Sequence, residues 1–135
     1  MSAFDDLLAF QRQTEALSSV AERLGWDQET VMPRGATEQR AEEMAAMESV
    51  LHERRTDPRI GEWLDQAVPE DAEDARILEL IARDHQRATR IPARLATELA
   101  RQTSLAQGIW AEARAKDAPA DFLPVLNDIL MLKRE

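Results

Sequence analysis

The sequence predicts an all-α protein, an array of about six mostly antiparallel helices joined by short connections that contain proline or glycine. Ala, Leu, Glu, Arg and Gln dominate the 135 residues, and these are good helix formers. Only four glycines, no tyrosine and few β-branched residues argue against a sheet. Apolar residues recur at three- and four-residue spacing between breaks that each contain a proline or a glycine.

The first two predicted helices meet at a sharp corner. Helix one is expected from about Ala3 to Leu24, because Ser2 and Asp5 form a start close to a capping box. Gly25 follows the apolar periodicity and is expected to stop this helix. Helix two is expected over about 37–55, with glutamates in its first turns and arginines in its last, which complements the helix dipole.

Four further helices are expected after the second. Asp57 followed by Pro58 combines an N-cap acid with proline at the first helical position, and later prolines mark the other breaks. The short connections favour antiparallel neighbours. Gly108 lies inside the fifth helix, where it costs roughly 1 kcal/mol against alanine, so it is expected to admit a close neighbouring helix or a bend. The expected bounds are 58–68, 71–89, 92–116 and from about 121 onwards.

The composition limits the function classes. Apolar residues make up 44% and charged residues 32%, which is typical of a soluble globular protein, and residues 1–135 are expected to form a single helical domain. The net charge of −9 argues against general nucleic-acid binding, which normally uses a basic patch. No apolar run is long enough for a membrane span, and no signal peptide is evident. The chain has no cysteine, which excludes thiolate chemistry and fits a cytoplasmic protein.

No catalytic or metal-ligating residue is predicted. His52-Glu53 begins like the zinc-peptidase pattern His-Glu-x-x-His, but Thr56 stands where the second histidine is needed. His85 has no histidine partner one helical turn away. The ordinary interpretation of both histidines is a polar contact near a helix end. A small metal-binding bundle that uses His52, His85 and nearby glutamates is the weakest alternative.

The stretch from Trp26 to Pro33 holds a large aromatic residue and two acids between two helices. The structural interpretation is a corner in which Trp26 plugs the gap between the helices and Asp27 caps or pairs. Under this interpretation Trp26→Ala would destabilise the fold by about 3–5 kcal/mol, as for a buried aromatic residue. The candidate structural or groove-corner residues are Trp26, Asp27, Glu29, Pro33 and Arg40.

The order and spacing of three stretches resemble the N-terminal region of the carboxypeptidase Taq family, metal-dependent enzymes that remove C-terminal residues from peptides. The most specific stretch is residues 24–33, which contain Trp-Asp-Gln-Glu-Thr-x-Met-Pro and are followed by Gly35 and by residues 40–42. The supporting positions are 51–53, 56–58 and 60–61, and then 87–88, 91–92, 104, 110, 113–114, 121–122, 124 and 132–135.

The resemblance implies a largely helical enzyme of several hundred residues whose zinc ligands lie well downstream, in a His-Glu-x-x-His helix and a later glutamate. This chain would therefore have no cofactor of its own, although zinc or another divalent metal serves the full-length family. It would form part of the wall or lid over a peptide groove and bind peptide only within a full-length enzyme. Family members also tend to be homodimers.

These features lead to two hypotheses for the function of the chain. The first is an N-terminal scaffold or groove wall of a zinc-dependent carboxypeptidase that is not catalytic by itself. The alternative is a stand-alone helical interaction module that self-associates. The last predicted helix is strongly apolar and reaches Glu135 without a cap, so we expect either a frayed terminus or a chain cut from a longer one. Its apolar stripe would then form a homodimer or pack against missing downstream helices.

Overall fold

The computed structural model describes residues 2–135, which form α-helices joined by short turns and contain no strand. The predicted all-α class is therefore confirmed. Two 3₁₀ turns, 34–36 and 119–122, lead directly into the second and the last helix. None of the helices in residues 2–135 is both long and apolar enough to cross a membrane. The helices are α1 (Ala3–Thr30), α2 (Thr37–Arg55), α3 (Pro58–Gln66), α4 (Ala72–Thr89), α5 (Ala93–Ala115) and α6 (Leu123–Leu132).

Helix α1 differs most from its predicted bounds, because it continues through Gly25 to Thr30. The prediction that Gly25 stops the helix is wrong: glycine in a helix costs only about 1 kcal/mol, which the contacts of the following turn can offset. The helix ends where Pro33 disfavours helical geometry at the preceding residue. The N–H groups of Val31 and Met32 both donate to the carbonyl of Asp27, at 3.1 and 2.9 Å, and close the last turn.

Helix α2 lies antiparallel to α1. Near the start of α2, the Arg40 guanidinium donates to the carbonyl oxygen of Leu24, late in α1. Near the end of α2, Arg54 donates to the carbonyl oxygen of Phe10, early in α1, at 3.0 Å. The Arg54 guanidinium also lies over the Phe10 ring, 4.0 Å from its centroid. Two arginines on one helix therefore fix the relative register of α1 and α2 at both ends.

Helix α2 has its most extensive contacts with α5, again antiparallel. Thr37 in the first turn of α2 faces Gly108 late in α5, whereas Glu42 pairs with Arg101 nearer the middle of α5, at 2.8 Å. Small side chains let two helices approach closely. The buried apolar residues on these two helices are mainly alanines: Ala41, Ala45, Ala96, Ala106 and Ala113.

Helices α3, α4 and α6 complete the array at its two ends. The α1–α3 contact forms a core in which Leu7, Phe10 and Ile60 are buried, and α4 covers it. The rings of Phe10 and Trp63 lie 5.5 Å apart in this core. At the other side, α6 folds back along α5, and Phe122 meets the Trp110 ring edge-on at 5.3 Å.

Alanine substitutions at two glycines test how much the close approach of α2 and α5 matters for stability. A Cβ built on Gly108 would meet the Cγ2 of Thr37 at 2.4 Å, whereas a Cβ on Gly25 would meet nothing within 4 Å. Gly108→Ala should therefore destabilise the fold by roughly 1–3 kcal/mol, the usual cost of overpacking. Gly25→Ala, also within a helix, should stabilise it by up to about 1 kcal/mol.

Urea denaturation of the two variants and the wild type gives both changes in the free energy of unfolding. The second replacement Thr37→Ala should recover part of the loss in Gly108→Ala, because it removes the two closest atoms. If Gly108→Ala stabilises the protein as much as Gly25→Ala does, the two helices do not depend on this close approach.

Candidate functional site

The corner between α1 and α2 is held together by Arg40. Its guanidinium donates to the Leu24 carbonyl at 2.5 Å, to the Asp27 carboxylate at 2.6 Å and to the Glu43 carboxylate at 2.7 Å. The Arg40 side chain is only 11% exposed, while both carboxylates are about one-third exposed. The hydrogen bonds from Arg40 to Asp27, and then to Glu43, raise the pKa of Arg40 above its usual value. We call Arg40, Leu24, Asp27 and Glu43 the Arg40 cluster.

A second cross-link joins the corner to α5. The Gln28 amide donates to the backbone carbonyl of Ser104 at 2.8 Å, and the Ser104 hydroxyl donates to the Gln28 side-chain oxygen at 2.9 Å. Ser104 is 4% exposed, so the pair is shielded from water. A reciprocal bond of this kind satisfies polar groups that would otherwise be buried without partners. It fixes the last turns of α1 against the middle of α5.

A cleft of about 420 Å³ opens beside this cross-link, between the corner and the C-terminal half of α5. Its apolar wall includes Met32 and Trp110. At its mouth, Arg34 pairs with Glu112 at 3.3 Å, and the Gln107 amide donates to Glu29 at 3.2 Å. We call this space the corner cleft; it is lined by Gln28, Glu29, Met32, Arg34, Thr37, Gln107, Gly108, Trp110, Ala111 and Glu112.

The expectation that Trp26 plugs the gap between the helices is wrong. Trp26 is 63% exposed, and it lines neither the corner cleft nor the core. Because α1 continues through Gly25, Leu24 and Asp27 share the face that meets Arg40, and Trp26 is turned about 200° from Leu24 around the helix axis. The predicted cost of about 3–5 kcal/mol for Trp26→Ala therefore does not apply. Surface substitutions usually change stability by less than about 0.5 kcal/mol, and a loss in that range is expected.

The other predicted corner residues lie close together. Asp27 pairs with Arg40, and Glu29 lines the corner cleft. Pro33 precedes the 3₁₀ turn in an extended conformation, with φ −59° and ψ 141°, and lies beside Arg40 and Asp27 in a smaller surface hollow. These four residues surround the corner; whether they contribute to a substrate groove stays a prediction.

The sequence did not predict the contacts of three residues in this region: Gln28, Ser104 and Arg34. Gln28 lies within the corner motif, and Ser104 is one of the supporting positions of the family resemblance. Neither has a sequence signal for its partner, because 76 positions separate the two residues. Gly108 did carry such a signal. A glycine inside a helix predicted either a close neighbouring helix or a bend, and the approach of Gly108 to Thr37 shows that the first alternative holds.

The two histidines do not form a metal site with their neighbours. The Nδ1 atom of His85 lies 2.9 Å from the Arg55 carbonyl oxygen, a contact near a helix end that identifies Nδ1 as the donor nitrogen. His52 is buried in α2. Within residues 2–135, no three His, Cys, Asp or Glu side chains are placed to hold a metal ion.

Two curated proteins are similar to this chain. Thermostable carboxypeptidase 1 of Thermus thermophilus is 41% identical over 140 residues, a match that covers 99% of this chain and 28% of that protein. Thermostable carboxypeptidase 1 of Pyrococcus furiosus is 28% identical over 131 residues, covering 95% of this chain and 26% of that protein. The chain therefore spans about a quarter of the length of these relatives.

The sequence pattern of one protein family matches almost the whole chain. The match covers residues 6–135, and the family is described as carboxypeptidase Taq (M32) metallopeptidase. It includes the corner motif, the α2–α5 contact and the last helix, and it confirms the resemblance that the corner motif predicted. This chain belongs to the carboxypeptidase Taq (M32) family of metallopeptidases.

Proposed function

We propose that this chain forms the N-terminal helical wall of the substrate groove in a zinc-dependent carboxypeptidase and is not catalytic by itself. Family membership supports the proposal, because the chain matches about a quarter of two proteins named carboxypeptidases. The observation that carries the proposal is that residues of the corner motif hold helices together. Asp27 and Gln28 both form contacts between helices, and neither is part of a set of metal ligands.

A metal centre does not fit the side chains of residues 2–135. Catalytic zinc sites in proteins use three protein ligands and keep a fourth position for water or substrate. Among the described residues 2–135, no group of three potential ligands is placed for this, and the His85 ring is directed to a backbone carbonyl. We therefore assign metal binding and peptide hydrolysis to the rest of a full-length enzyme, and no chemical step to this chain.

What the chain contributes is rigidity. A groove positions a substrate only if its walls keep their geometry, and side chains locked by packing and hydrogen bonds provide this. The Arg40 cluster holds α1 on α2, and the Gln28–Ser104 pair holds α1 on α5. Three helices therefore meet in one cross-linked corner that can serve as a fixed wall.

We propose that the protein acts in the cytoplasm. The absence of cysteine from all 135 residues supports a reducing compartment. Peptide is the proposed substrate of the full-length enzyme. The charge of −9 supports no role in general nucleic-acid binding, because phosphate backbones attract basic surfaces.

A chimera tests the groove-wall role. The matched region of the Thermus thermophilus carboxypeptidase would be replaced with this chain, and release of C-terminal amino acids from a blocked peptide would be measured. We expect the chimera to be active, because a wall of the same geometry restores the groove. The isolated chain, with zinc or cobalt added, should release no amino acid.

Two results would count against this role. Release of amino acids by the isolated chain would show that it carries catalytic groups of its own. A chimera with native helical content and no activity would show that this chain cannot act as the wall. An Arg40→Met chimera is the matched control, and it should lose activity together with thermal stability if corner rigidity is what the chain supplies.

A second candidate function is self-association, which the surface of α6 favours. Leu123, Leu130 and Met131 are exposed, although α6 is the most apolar helix of the chain by composition. Leu123 and Leu130 stand seven residues apart and so lie on one face of the helix. Exposed apolar faces of this kind mark interaction sites. We propose that this face joins two copies of the chain in a homodimer or packs against helices of a full-length enzyme.

Light scattering of the isolated chain at tens of micromolar tests the homodimer. We expect the mass of a dimer for the wild type and of a monomer for Leu130→Glu, since a buried unpaired carboxylate opposes association. Glu79→Gln, an exposed change on α4, is the control and should leave the mass unchanged. A monomeric wild type that binds no apolar dye would remove the case for self-association.

A further inference from the structure

The corner cleft has the size and lining of a small-ligand site. Its volume of about 420 Å³ falls within the usual range of roughly 300–1,000 Å³ for such sites. Met32, Trp110 and Ala111 supply apolar surface, and Thr37 and Gly108 line it where α2 and α5 approach each other closely. The cleft therefore combines a preformed apolar wall with polar groups at its mouth.

The position of Trp110 is fixed from the opposite side. Phe122, in the 3₁₀ turn before α6, meets the indole edge-on with ring centroids 5.3 Å apart. Trp110 is nevertheless about half exposed. An indole that is held in place and open to solvent is a good surface for the aliphatic stem of a ligand and for a cation above its face.

The charges at the cleft favour a cation. Two carboxylates, Glu29 and Glu112, line it, and the basic groups beside them, Arg34 and Lys116, both pair with Glu112 and not with Glu29. Glu112 already pairs with Arg34 at 3.3 Å and with Lys116 at 3.8 Å. Glu29 accepts a hydrogen bond from the neutral Gln107 amide at 3.2 Å, and no basic side-chain nitrogen of residues 2–135 lies within 4 Å of it.

Access to the cleft is not closed by Arg34. Its side chain is 83% exposed, and its pairing with Glu112 is an exposed ion pair of the kind that contributes little to stability. Arg34 can therefore move aside when a ligand enters. An anion would be repelled by Glu29 and would have to compete with Glu112 for the exposed Arg34 guanidinium.

We propose that the corner cleft binds a guanidinium or ammonium group on an aliphatic stem, as in an arginine or lysine side chain of a peptide. The cationic head pairs with Glu29 in a charge-assisted hydrogen bond, and the stem packs on Trp110 and Met32. The binding goes beyond the groove-wall role and is independent of it, since it requires neither a metal nor a downstream domain.

Nuclear magnetic resonance of the isolated chain tests the proposal through its three indole N–H signals. N-acetyl-arginine amide is titrated into ¹⁵N-labelled protein to millimolar concentration. The Trp110 signal should shift and saturate, while the signals of exposed Trp26 and of Trp63 in the core should stay in place. N-acetyl-citrulline amide has nearly the same shape and no charge, so it should bind at least about fivefold more weakly.

Glu29→Gln should weaken binding of the arginine derivative by about fivefold or more, because the amide still accepts from Gln107 but carries no charge. Glu22→Gln, on the exposed face of the same helix, is the matched control and should leave the affinity unchanged. Equal binding of the two ligands, an unchanged affinity in Glu29→Gln, or no shift of Trp110 would each overturn the proposal. None of these results affects the outcome of the chimera, so the two proposals fail separately.

Discussion

The arrangement of the helices depends most on the guanidinium of Arg40. It lies near the start of α2, and its side chain is 11% exposed. It donates hydrogen bonds to three acceptors, one of which is the carbonyl oxygen of Leu24 in the next-to-last turn of α1. A buried guanidinium is stable only when carboxylates and carbonyls satisfy its donors, and Asp27 and Glu43 complete the set. The direction in which α2 leaves the corner follows from this cluster together with Pro33.

The corner in turn positions α5. Helix α2 is held on α1 by Arg40 and approaches α5 where Thr37 faces Gly108, while the Gln28–Ser104 pair joins α1 directly to α5. The corner cleft lies beside these contacts, and Met32 and Trp110 line it together with Gln28, Thr37 and Gly108. The helix contacts of Asp27 and Gln28 and the proposed cation contact of Glu29 therefore come from adjacent residues of the corner motif.

The sequence was sufficient to predict most of the helices, but not which side chains join one helix to another. Proline and glycine breaks predicted α2 with the same bounds, because these breaks and the charge placement along the helix are local properties. The end of α1 was missed, since the contacts that continue the helix past Gly25 involve residues far away along the chain. Trp26 was misplaced for the same reason: its size predicts burial, but the rotation of the continued helix turns it outward. Arg40 was named with the corner motif, although its acceptors became apparent only in three dimensions.

The most direct test compares the free energies of unfolding of Arg40→Met and Trp26→Ala in urea. Methionine keeps the apolar stem and removes the charged donors, so Arg40→Met should lose about 2–3 kcal/mol through the hydrogen bonds to charged groups. Trp26→Ala should lose less than about 0.5 kcal/mol, because the indole is mostly exposed. The reverse order, with a loss of about 3–5 kcal/mol for Trp26→Ala and a negligible one for Arg40→Met, would show that packing of Trp26 and not the Arg40 cluster holds the corner.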